Sequence, residues 1–504
     1  MSEGHSGNSD SSKKITGPFD SVRDYVAALE HNGHLVRIPH MNQDEYESTA
    51  FAYRLMDKIG FNEAPAFMLE SVTIAGKVHN TPVLGNLYGP LISEAMGFGV
   101  EHITDDHNQM YEAAIRAVTA KGGRMGWQPI PPVEVERATA PVKEIVVSGD
   151  DVDLYAFPWI QNNPADAGQY ISMGSVITED PQMGRNVGTY RCQVKSKNKI
   201  GVNPEIGQHG WNYLMGLKKR GDKVAHVSIV VGADPITFAM SSSKFAPMQG
   251  QDEYGYAGCL RGKPVQVVKS ELTDIMVPAH AEIVLEGEIP LDQMEPEGPY
   301  GELYGFMGHK KEANFFMNVK TITHRKNPWV LNAYCGITRG FYTAPLEAGA
   351  NARLKMAVPA VTDVHIPNDA LGVVIVAMKK TRPGEGMAAG QVISGMLPIA
   401  KVVILVDDDV EIRNPRRVIA ALGARWQPDP ASLVIPQTLA QQLDPSGGGR
   451  KVTSKIIIDA TRQMPEEGGP AVWPPLNREL LVAAHPDVLA KADAKWDEWM
   501  KNRK

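Results

Sequence analysis

The arrangement of helical and strand-like segments changes twice along the chain, and this change constrains the fold more than any other feature of the sequence. Residues 17–140 alternate between the two kinds of segment, residues 141–340 are mainly strand-like, and residues 341–475 alternate again. Alternation is typical of α/β units, whereas many strands separated by Gly, Asn, Asp and Pro turns are typical of an antiparallel barrel. We therefore expect an N-terminal α/β domain, a central barrel-like domain and a C-terminal α/β domain.

Individual segments refine this expectation. Apolar residues from Val22 to Leu29 have the spacing of one helix face and predict a first amphipathic helix. In the central part, a single helix is expected near residues 210–219. Residues 372–378 and 402–406 are continuous apolar runs, which indicate strands of a parallel sheet that are buried on both faces.

The ends and connections of these parts have their own signals. Residues 1–16 begin with a polar stretch that lacks an apolar signal core, so they predict a disordered tail. The Pro-rich residues 127–141 are a candidate domain boundary, and residues 427–436 predict a loop. A last helix is expected over residues 486–500, within a C-terminal segment 476–504 that is a candidate to dock on a partner subunit.

Composition excludes several classes of protein. The 504 residues suggest about three domains of roughly 150 residues. The net charge of −7 gives no overall basic field for nucleic acid, and no apolar run approaches the roughly 18 residues of a membrane span. Cys192, Cys259 and Cys335 are too far apart for a disulfide framework or a zinc-finger spacing. These features favour a globular protein of the reducing cytoplasm.

The most distinctive stretch is EPEGPYGELYG at residues 295–305. In a regular strand Glu297 and Glu302 would point to opposite faces, but a Gly-Pro turn can bring both carboxylates to one point. Two adjacent carboxylates do not both ionise readily, so one can stay protonated near neutral pH. The alternative is a solvated acidic turn without a catalytic role.

A second stretch, NVGTYR, ends in Arg191. Its glycine allows a ligand to approach the backbone closely, and the planar guanidinium of arginine suits a substrate carboxylate. The alternative is an arginine on a surface strand. The other residues of the stretch are candidates to contact a ligand: Asn186, Val187, Gly188, Thr189 and Tyr190.

Three further polar stretches are ambiguous by themselves. Gln208 and His209 precede a predicted helix, where a histidine can bind a ligand or simply cap or pack the helix. Glu253 has no compact metal-binding spacing to His209, and the serines at 241–243 are typical of a polar loop. The basic residues at 379–382 could contact a phosphate or form a solvated edge.

The order of these stretches resembles the signature of the UbiD-like decarboxylases, which are reversible (de)carboxylases that use prenylated FMN. The similarity consists of NVGTYR, His209, Glu253 and the EGPYGE box, and it extends over residues 20–500. The resemblance implies a central split β-barrel (flavin reductase-like) domain at 141–340, within a three-domain α/β architecture.

The resemblance also implies roles for individual residues. Arg191, Glu297 and Glu302 match the catalytic arginine and two glutamates of the family, and Gln208 matches a residue beside the flavin. The residues that match ligands of a divalent ion, Mn²⁺ or Mg²⁺, on the cofactor phosphate are Asn186, His209 and Glu253.

Other implications concern ions and substrates. The serines near 242–243 fall where family members place backbone ligands of K⁺, although Val187 replaces a tryptophan of some fungal members. Hydroxybenzoate-specific relatives tend to carry a histidine near residues 341–346, and none lies between His324 and His365, so catechol-type acids are less favoured.

The activity implied is decarboxylation of an aromatic or heteroaromatic carboxylic acid with release of CO₂. A flavin prenyltransferase would supply the cofactor, and the assembly would be a homodimer. Two alternatives are an ordinary flavin (FMN) oxidoreductase on a split barrel and a non-catalytic subunit of a carboxylase complex. Neither alternative needs an arginine with two glutamates.

Overall fold

The computed structural model of the chain describes residues 14–123, 126–243, 245, 251–439, 443–448, 450 and 452–501. Most of the predicted tail of residues 1–16 lies outside the described residues. At its end, the backbone N–H of Ile15 donates to the Asn32 side chain (3.1 Å). No described helix is long and apolar enough to cross a bilayer.

The N-terminal part alternates between helices and strands, as its sequence predicts. The Ser21 hydroxyl accepts a hydrogen bond from the Asp24 N–H (3.2 Å), and the Asp24 carboxylate accepts one from the Ser21 N–H (3.1 Å). This capping box fixes the start of the first helix. The elements are α1 (Val22–His31), β1 (Leu35–Ile38), β2 (Met41–Asn42), α2 (Glu47–Lys58), β3 (Ala66–Leu69), β4 (Val72–Ile74), β5 (Lys77–His79), β6 (Val83–Gly85), α3 (Ile92–Gly97), α4 (His107–Gly122) and β7 (Val133–Glu134).

Strands dominate the central part, as its sequence also predicts. Its elements are β8 (Ile145–Ser148), β9 (Tyr170–Ile171), β10 (Gly174–Asp180), β11 (Gly184–Thr189), β12 (Cys192–Ser196), β13 (Lys199–Val202), α5 (His209–Arg220), β14 (Val224–Val231), α6 (Pro235–Ser242), α7 (Glu253–Arg261), β15 (Gln266–Lys269), β16 (Met276–Pro278), β17 (Ile283–Pro290), β18 (Glu295–Glu297), β19 (Tyr300–Gly301), β20 (Met307–Gly308), β21 (Lys311–His324) and β22 (Val330–Asn332).

The expectation of a single central helix is wrong. The predicted helix near 210–219 is α5, but α6 and α7 are also helical. The serine run at 241–243, interpreted as a loop, forms the end of α6 and its cap. Glu253 is the first residue of α7, and the Asp252 side chain caps that helix by accepting from the Tyr254 N–H (3.1 Å).

Most central strands form one antiparallel sheet in the order β11-β10-β14-β17-β21-β13-β12-β9, with β8 and β18 also paired to β21. Two strand pairings join residues on opposite sides of the predicted domain boundaries. β22 pairs in parallel with β6, and β7, in the Pro-rich connector, pairs in parallel with β15. The connector is therefore part of a sheet. One cluster of buried apolar side chains extends from Phe19 to Ala348, so the N-terminal and central parts share a core.

The C-terminal part is a helix-flanked sheet in the order β23-β24-β25-β27-β26, in which β24, β25 and β27 are parallel. The two apolar runs predicted as buried parallel strands are β24 and β25. The elements are α8 (Ala344–Ala357), β23 (Val361–His365), β24 (Val373–Met378), α9 (Glu385–Met396), β25 (Val402–Asp407), α10 (Pro415–Arg425), β26 (Ser432–Leu439), β27 (Val452–Ala460), α11 (Asn477–Ala484), α12 (Val488–Asp493) and α13 (Trp496–Met500).

Two expectations for this part are wrong, and a third is wrong for one residue. The predicted loop at 427–436 includes the first half of β26, and the single helix expected at 486–500 is a series of short helices that begins at α11. Of the basic residues at 379–382, Lys379 and Arg382 are exposed, as a solvated edge requires, but Lys380 is not. Its side chain is 2% exposed and forms an ion pair with Glu467 (2.7 Å).

Candidate active site

Arg191 lies at a break between two strands. β11 ends at Thr189 and β12 begins at Cys192, so Arg191 directly precedes the second strand. The backbone carbonyl of Arg191 accepts from the Asn203 N–H (3.3 Å), which holds the break against the end of β13. This arrangement directs the guanidinium into the interior, where its side chain is 8% exposed.

The guanidinium of Arg191 contacts both predicted acids. Its Nε lies 3.0 Å from Glu297 Oε1, its Nη2 lies 2.7 Å from Glu297 Oε2, and its Nη1 donates to Glu302 Oε1. The ring of Tyr300, between the two acids in sequence, lies 5.2 Å from the guanidinium carbon. The Gly-Pro turn thus brings the two carboxylates together, and the alternatives of a solvated turn and a surface arginine do not hold.

Burial and charge set the protonation of this cluster. Burial raises the pKa of Glu302, Arg191 opposes the rise, and the charges of Glu205 and Glu297 add to it. Burial by itself lowers the pKa of Arg191, because it disfavours the charged guanidinium. The hydrogen bond with Glu297 and the negative charges of both acids raise the pKa by more, so Arg191 stays protonated. Glu297 accepts hydrogen bonds from two nitrogens of the guanidinium and Glu302 from only one, so Arg191 compensates the burial of Glu302 less. Glu302 is therefore the acid suited to carry a proton.

A cavity of about 220 Å³ lies beside this cluster. It brings together all the residues predicted to bind a cofactor except Arg191, which lines a neighbouring cavity. Sequence reasoning missed Gly207 and Met240, and it interpreted Ser241 as part of a polar loop, whereas Met240 and Ser241 belong to the unexpected helix α6. The full lining is Asn186, Val187, Gly188, Thr189, Tyr190, Gly207, Gln208, His209, Met240, Ser241, Ser242 and Glu253.

Three elements deliver the polar groups of this cavity. Asn186 is on β11, His209 is the first residue of α5, and Glu253 is the first residue of α7. The carboxylate of Glu253 accepts from the Val187 N–H (3.0 Å), which ties α7 to β11. Burial raises the pKa of Glu253 to about 8. The amide nitrogen of Asn186 is buried and has no hydrogen-bond partner among the described residues.

These groups suit a phosphate-bound divalent ion. An amide, an imidazole and a carboxylate are the donors preferred by Mn²⁺ or Mg²⁺ rather than by a thiolate-seeking ion. A buried carboxylate with a raised pKa gains from a cation beside it, and the buried Asn186 amide can donate to an added oxygen. Among the described residues there is no cluster of three or more His, Cys, Asp or Glu side chains with metal-binding geometry. Such a cluster is not needed here, because the side-chain amide of Asn186 would be the third ligand beside His209 and Glu253.

A larger cavity, of about 530 Å³, lies in front of Arg191 and Glu302. Its walls include exposed apolar side chains, of which Ile206 is 69% and Phe306 62% exposed. They also include residues of the C-terminal part that no motif indicated. The further lining residues are Glu205, Met307, Gly308, His309, Lys311, Leu439, Leu443, Asp444, Pro445, Gly447, Gly448 and Arg450.

Comparisons with known proteins identify the family of this chain. Residues 133–338 match the family model described as the 3-octaprenyl-4-hydroxybenzoate carboxy-lyase Rift-related domain, and residues 341–460 match the C-terminal domain of the same enzymes. The chain is 31% identical to a phenolic acid decarboxylase of Sedimentibacter hydroxybenzoicus, over 96% of this chain and 99% of the relative. The chain belongs to the UbiD family. It is accordingly an enzyme, a carboxy-lyase.

Solved structures of UbiD-class enzymes share the α/β fold. The vanillic acid decarboxylase of S. hydroxybenzoicus in its open form superposes with a TM-score of 0.78 at 29% identity, over 96% of this chain and all of that one. The UbiD-class enzyme HmfF of Pelotomaculum thermopropionicum, solved with FMN, has a TM-score of 0.75 at 26% identity, over 92% of this chain and all of that one.

Proposed function

We propose that this UbiD-family chain catalyses the reversible, non-oxidative decarboxylation of an aromatic or heteroaromatic carboxylic acid with prenylated FMN. The observation that carries the proposal is the contact of one guanidinium, that of Arg191, with both Glu297 and Glu302 at the wall of a cavity. An arginine that holds a carboxylate beside a protonated acid is the arrangement that exchange of CO₂ for a proton requires.

The cofactor would be held through the smaller cavity. Loss of CO₂ from an sp² carbon leaves an anion that the ring cannot delocalise, and prenylated FMN would supply the electron sink that no side chain offers. The buried amide of Asn186 and the buried acid Glu253 support a phosphate and its cation at this place. The FMN in the HmfF relative supports a flavin here. Gln208 would lie beside the flavin.

A divalent ion, Mn²⁺ or Mg²⁺, would join the cofactor phosphate to Asn186, His209 and Glu253. A K⁺ ion would lie near Ser242 and Ser243 at the end of α6. Ser242 lines the same cavity, which supports that location, but the hydroxyl of Thr189 already lies 2.8 Å from the Ser242 hydroxyl. We therefore assign K⁺ to backbone oxygens rather than to the Ser242 hydroxyl.

The protein's own groups position the substrate and move one proton. Three of the five N–H donors of Arg191 bind the two acids, so two remain for the carboxylate of the substrate. Glu297 orients the guanidinium and balances its charge. Glu302, whose pKa burial raises, gives its proton to the carbon that has lost CO₂ and takes it back in the carboxylation direction.

The substrate class follows from the larger cavity and from the relatives. Apolar walls such as Ile206 and Phe306 suit an aromatic ring. The relatives named phenolic acid and vanillic acid decarboxylases make hydroxylated benzoic acids the first compounds to test, in spite of the missing histidine near residues 341–346. Larger bicyclic acids and heteroaromatic acids come next.

The remaining assignments concern architecture and setting. We propose that residues 17–140, 141–340 and 341–475 act as α/β, split-barrel and oligomerisation domains, with the segment 476–504 on a second copy in a homodimer. A flavin prenyltransferase would supply the cofactor. The three free cysteines support a reducing compartment, the cytoplasm.

The test is expression with and without a flavin prenyltransferase, followed by an absorption spectrum and a screen for CO₂ release over aromatic acids. We expect a modified flavin spectrum and CO₂ release only after co-expression. A protein that releases no CO₂ but whose flavin is bleached by NAD(P)H would support an oxidoreductase instead.

A further inference from the structure

Tyr170, the first residue of β9, contacts a catalytic acid but has no part in the mechanism above. Its hydroxyl lies 3.2 Å from Glu297 Oε1 and 3.3 Å from the carbonyl oxygen of Pro299. Its ring packs on Tyr300 with the ring centroids 4.4 Å apart. Tyr170 is 1% exposed, so this contact is shielded from bulk water.

The contact of the Tyr170 hydroxyl with Glu297 is important because it supplements the hydrogen bonds from Arg191. Both carboxylate oxygens of Glu297 receive N–H groups of Arg191, at 3.0 and 2.7 Å. Among the described residues, the Tyr170 hydroxyl is the one further donor to this carboxylate. An acid held by Arg191 alone cannot orient Arg191, since the pair could turn together. Burial, with the charge of Glu297, raises the pKa of Tyr170, so its hydroxyl remains a donor.

The segment that leads into Tyr170 also holds the loop between the two acids. Asp166 is 6% exposed, and its carboxylate accepts from the Gly301 N–H (2.8 Å) and from the Asn163 N–H (2.9 Å). The Ala167 N–H donates to the Pro299 carbonyl (2.9 Å). Gly301 directly precedes Glu302, so Asp166 fixes the backbone from which Glu302 projects.

We propose that Tyr170 and Asp166 are positioning residues for this reaction. Tyr170 fixes Glu297 and, through it, the plane of the Arg191 guanidinium, whereas Asp166 fixes the end of the loop that carries Glu302. The proposal rests on the proposed function. A displacement of about 1 Å at a reacting group can lower a rate roughly 100-fold, so a loosened but intact loop should lower it about 10-fold.

The first test is Tyr170→Phe in the cofactor-loaded enzyme, because phenylalanine keeps the ring packing and removes only the hydroxyl. We expect kcat/KM about 10-fold lower, with flavin content and Tm equal to those of the wild type. Tyr155→Phe is the matched control, since Tyr155 is 43% exposed and should keep full activity.

A double-mutant cycle distinguishes positioning from a general structural effect. Glu297→Asp withdraws the carboxylate from the Tyr170 hydroxyl, so adding Tyr170→Phe to it should cause little further loss. Losses that multiply would mean that Tyr170 does not act through Glu297 and would overturn its role. Full activity of Tyr170→Phe would do the same.

Asp166→Asn keeps the size of the side chain but turns an amide donor towards an N–H group, and it should lower turnover at unchanged flavin content. If Tyr170→Phe does not fold, Asp166→Asn alone tests the proposal. Wild-type turnover of Asp166→Asn would overturn the proposal. A wild-type enzyme that releases no CO₂ from any acid would instead contradict the proposed function, on which this proposal depends.

Discussion

The guanidinium of Arg191 meets the carboxylate of Glu297 through two nitrogens, Nε at 3.0 Å and Nη2 at 2.7 Å. A lysine offers one charged group and cannot make this planar fork. We expect Arg191→Lys to lower kcat/KM at least about 100-fold while the flavin content is retained. Steady-state kinetics and an absorption spectrum check both points. Arg54→Lys is the control, because that side chain is 73% exposed. Activity within a few-fold of the wild type would remove Arg191 from its role as carboxylate clamp.

Glu302 should set the alkaline limit of activity. Burial raises its pKa, so the protonated form persists to higher pH than in an exposed glutamate. A proton donor works below its pKa, and activity is therefore lost as the pH rises through that raised value. Glu302→Gln should lower turnover about 10²–10⁴-fold and leave the residual rate without this alkaline decline. Glu312→Gln, at a side chain 80% exposed, should change neither property. Near-normal turnover of Glu302→Gln would contradict the assignment.

Gly308 leaves the space that the Glu302 carboxyl group occupies. A Cβ atom at this glycine would lie 2.7 Å from Glu302 Oε1 and 2.8 Å from its Cγ. Gly308→Ala should therefore displace the acid and lower kcat about 10–100-fold. The control is Gly423→Ala in α10, where a Cβ meets nothing within 4 Å. It should keep activity and stabilise the fold by about 0.5–1 kcal/mol. Steady-state rates and thermal melts are measured for both variants. If Gly308→Ala and Gly423→Ala have equal rates, displacement of the Glu302 carboxyl group does not affect catalysis.

The sequence predicted the proximity of Glu297 and Glu302 well because a short turn alone brings them together. Glu297 and Glu302 are joined by four residues with a Gly-Pro pair, so their proximity is a local property. The larger cavity, in contrast, is formed by residues that are distant in the sequence. Phe306 and Arg450 both line it, although they are far apart in the chain, and no local pattern indicates such a meeting.

The two missed helices have separate physical causes. In α6 every residue from Pro235 to Ser241 is buried, so there is no polar face and no helical period to detect. In α7 the sequence contains Gly255 and Gly258, which disfavour a helix. A Cβ at Gly258 would lie 2.5 Å from the carbonyl oxygen of Ile130, so close packing requires the glycine.

His209 should be needed for retention of the cofactor rather than for folding. It is the first residue of α5 and lines the smaller cavity with Asn186 and Glu253. We expect His209→Ala to be purified with an unchanged circular dichroism spectrum but with most of its flavin and its divalent ion lost. The flavin-to-protein absorbance ratio and elemental analysis measure the two losses. His102→Ala, at an exposed histidine, should retain both. Full flavin occupancy in His209→Ala would exclude the histidine from the ion site.

The C-terminal helices should form part of the dimer interface. No residue of α11, α12 or α13 is buried, and Leu480, Trp496 and Trp499 are 53%, 56% and 58% exposed. Apolar side chains grouped in this way gain by burial against another surface. A chain that ends at residue 475 should therefore elute as a monomer in size-exclusion chromatography with light scattering, whereas the 504-residue chain should elute as a dimer.

A finer pair of variants separates the apolar contacts from the mere presence of the segment. Trp496→Ala combined with Trp499→Ala should weaken the dimer, because it removes the two largest exposed rings of α13. Lys491→Ala combined with Asp493→Ala, on the neighbouring α12, removes one positive and one negative charge and leaves the exposed apolar rings intact. If both pairs dissociate at the same concentration as the wild type, the second copy must bind elsewhere, and the exposed rings of α13 have another partner.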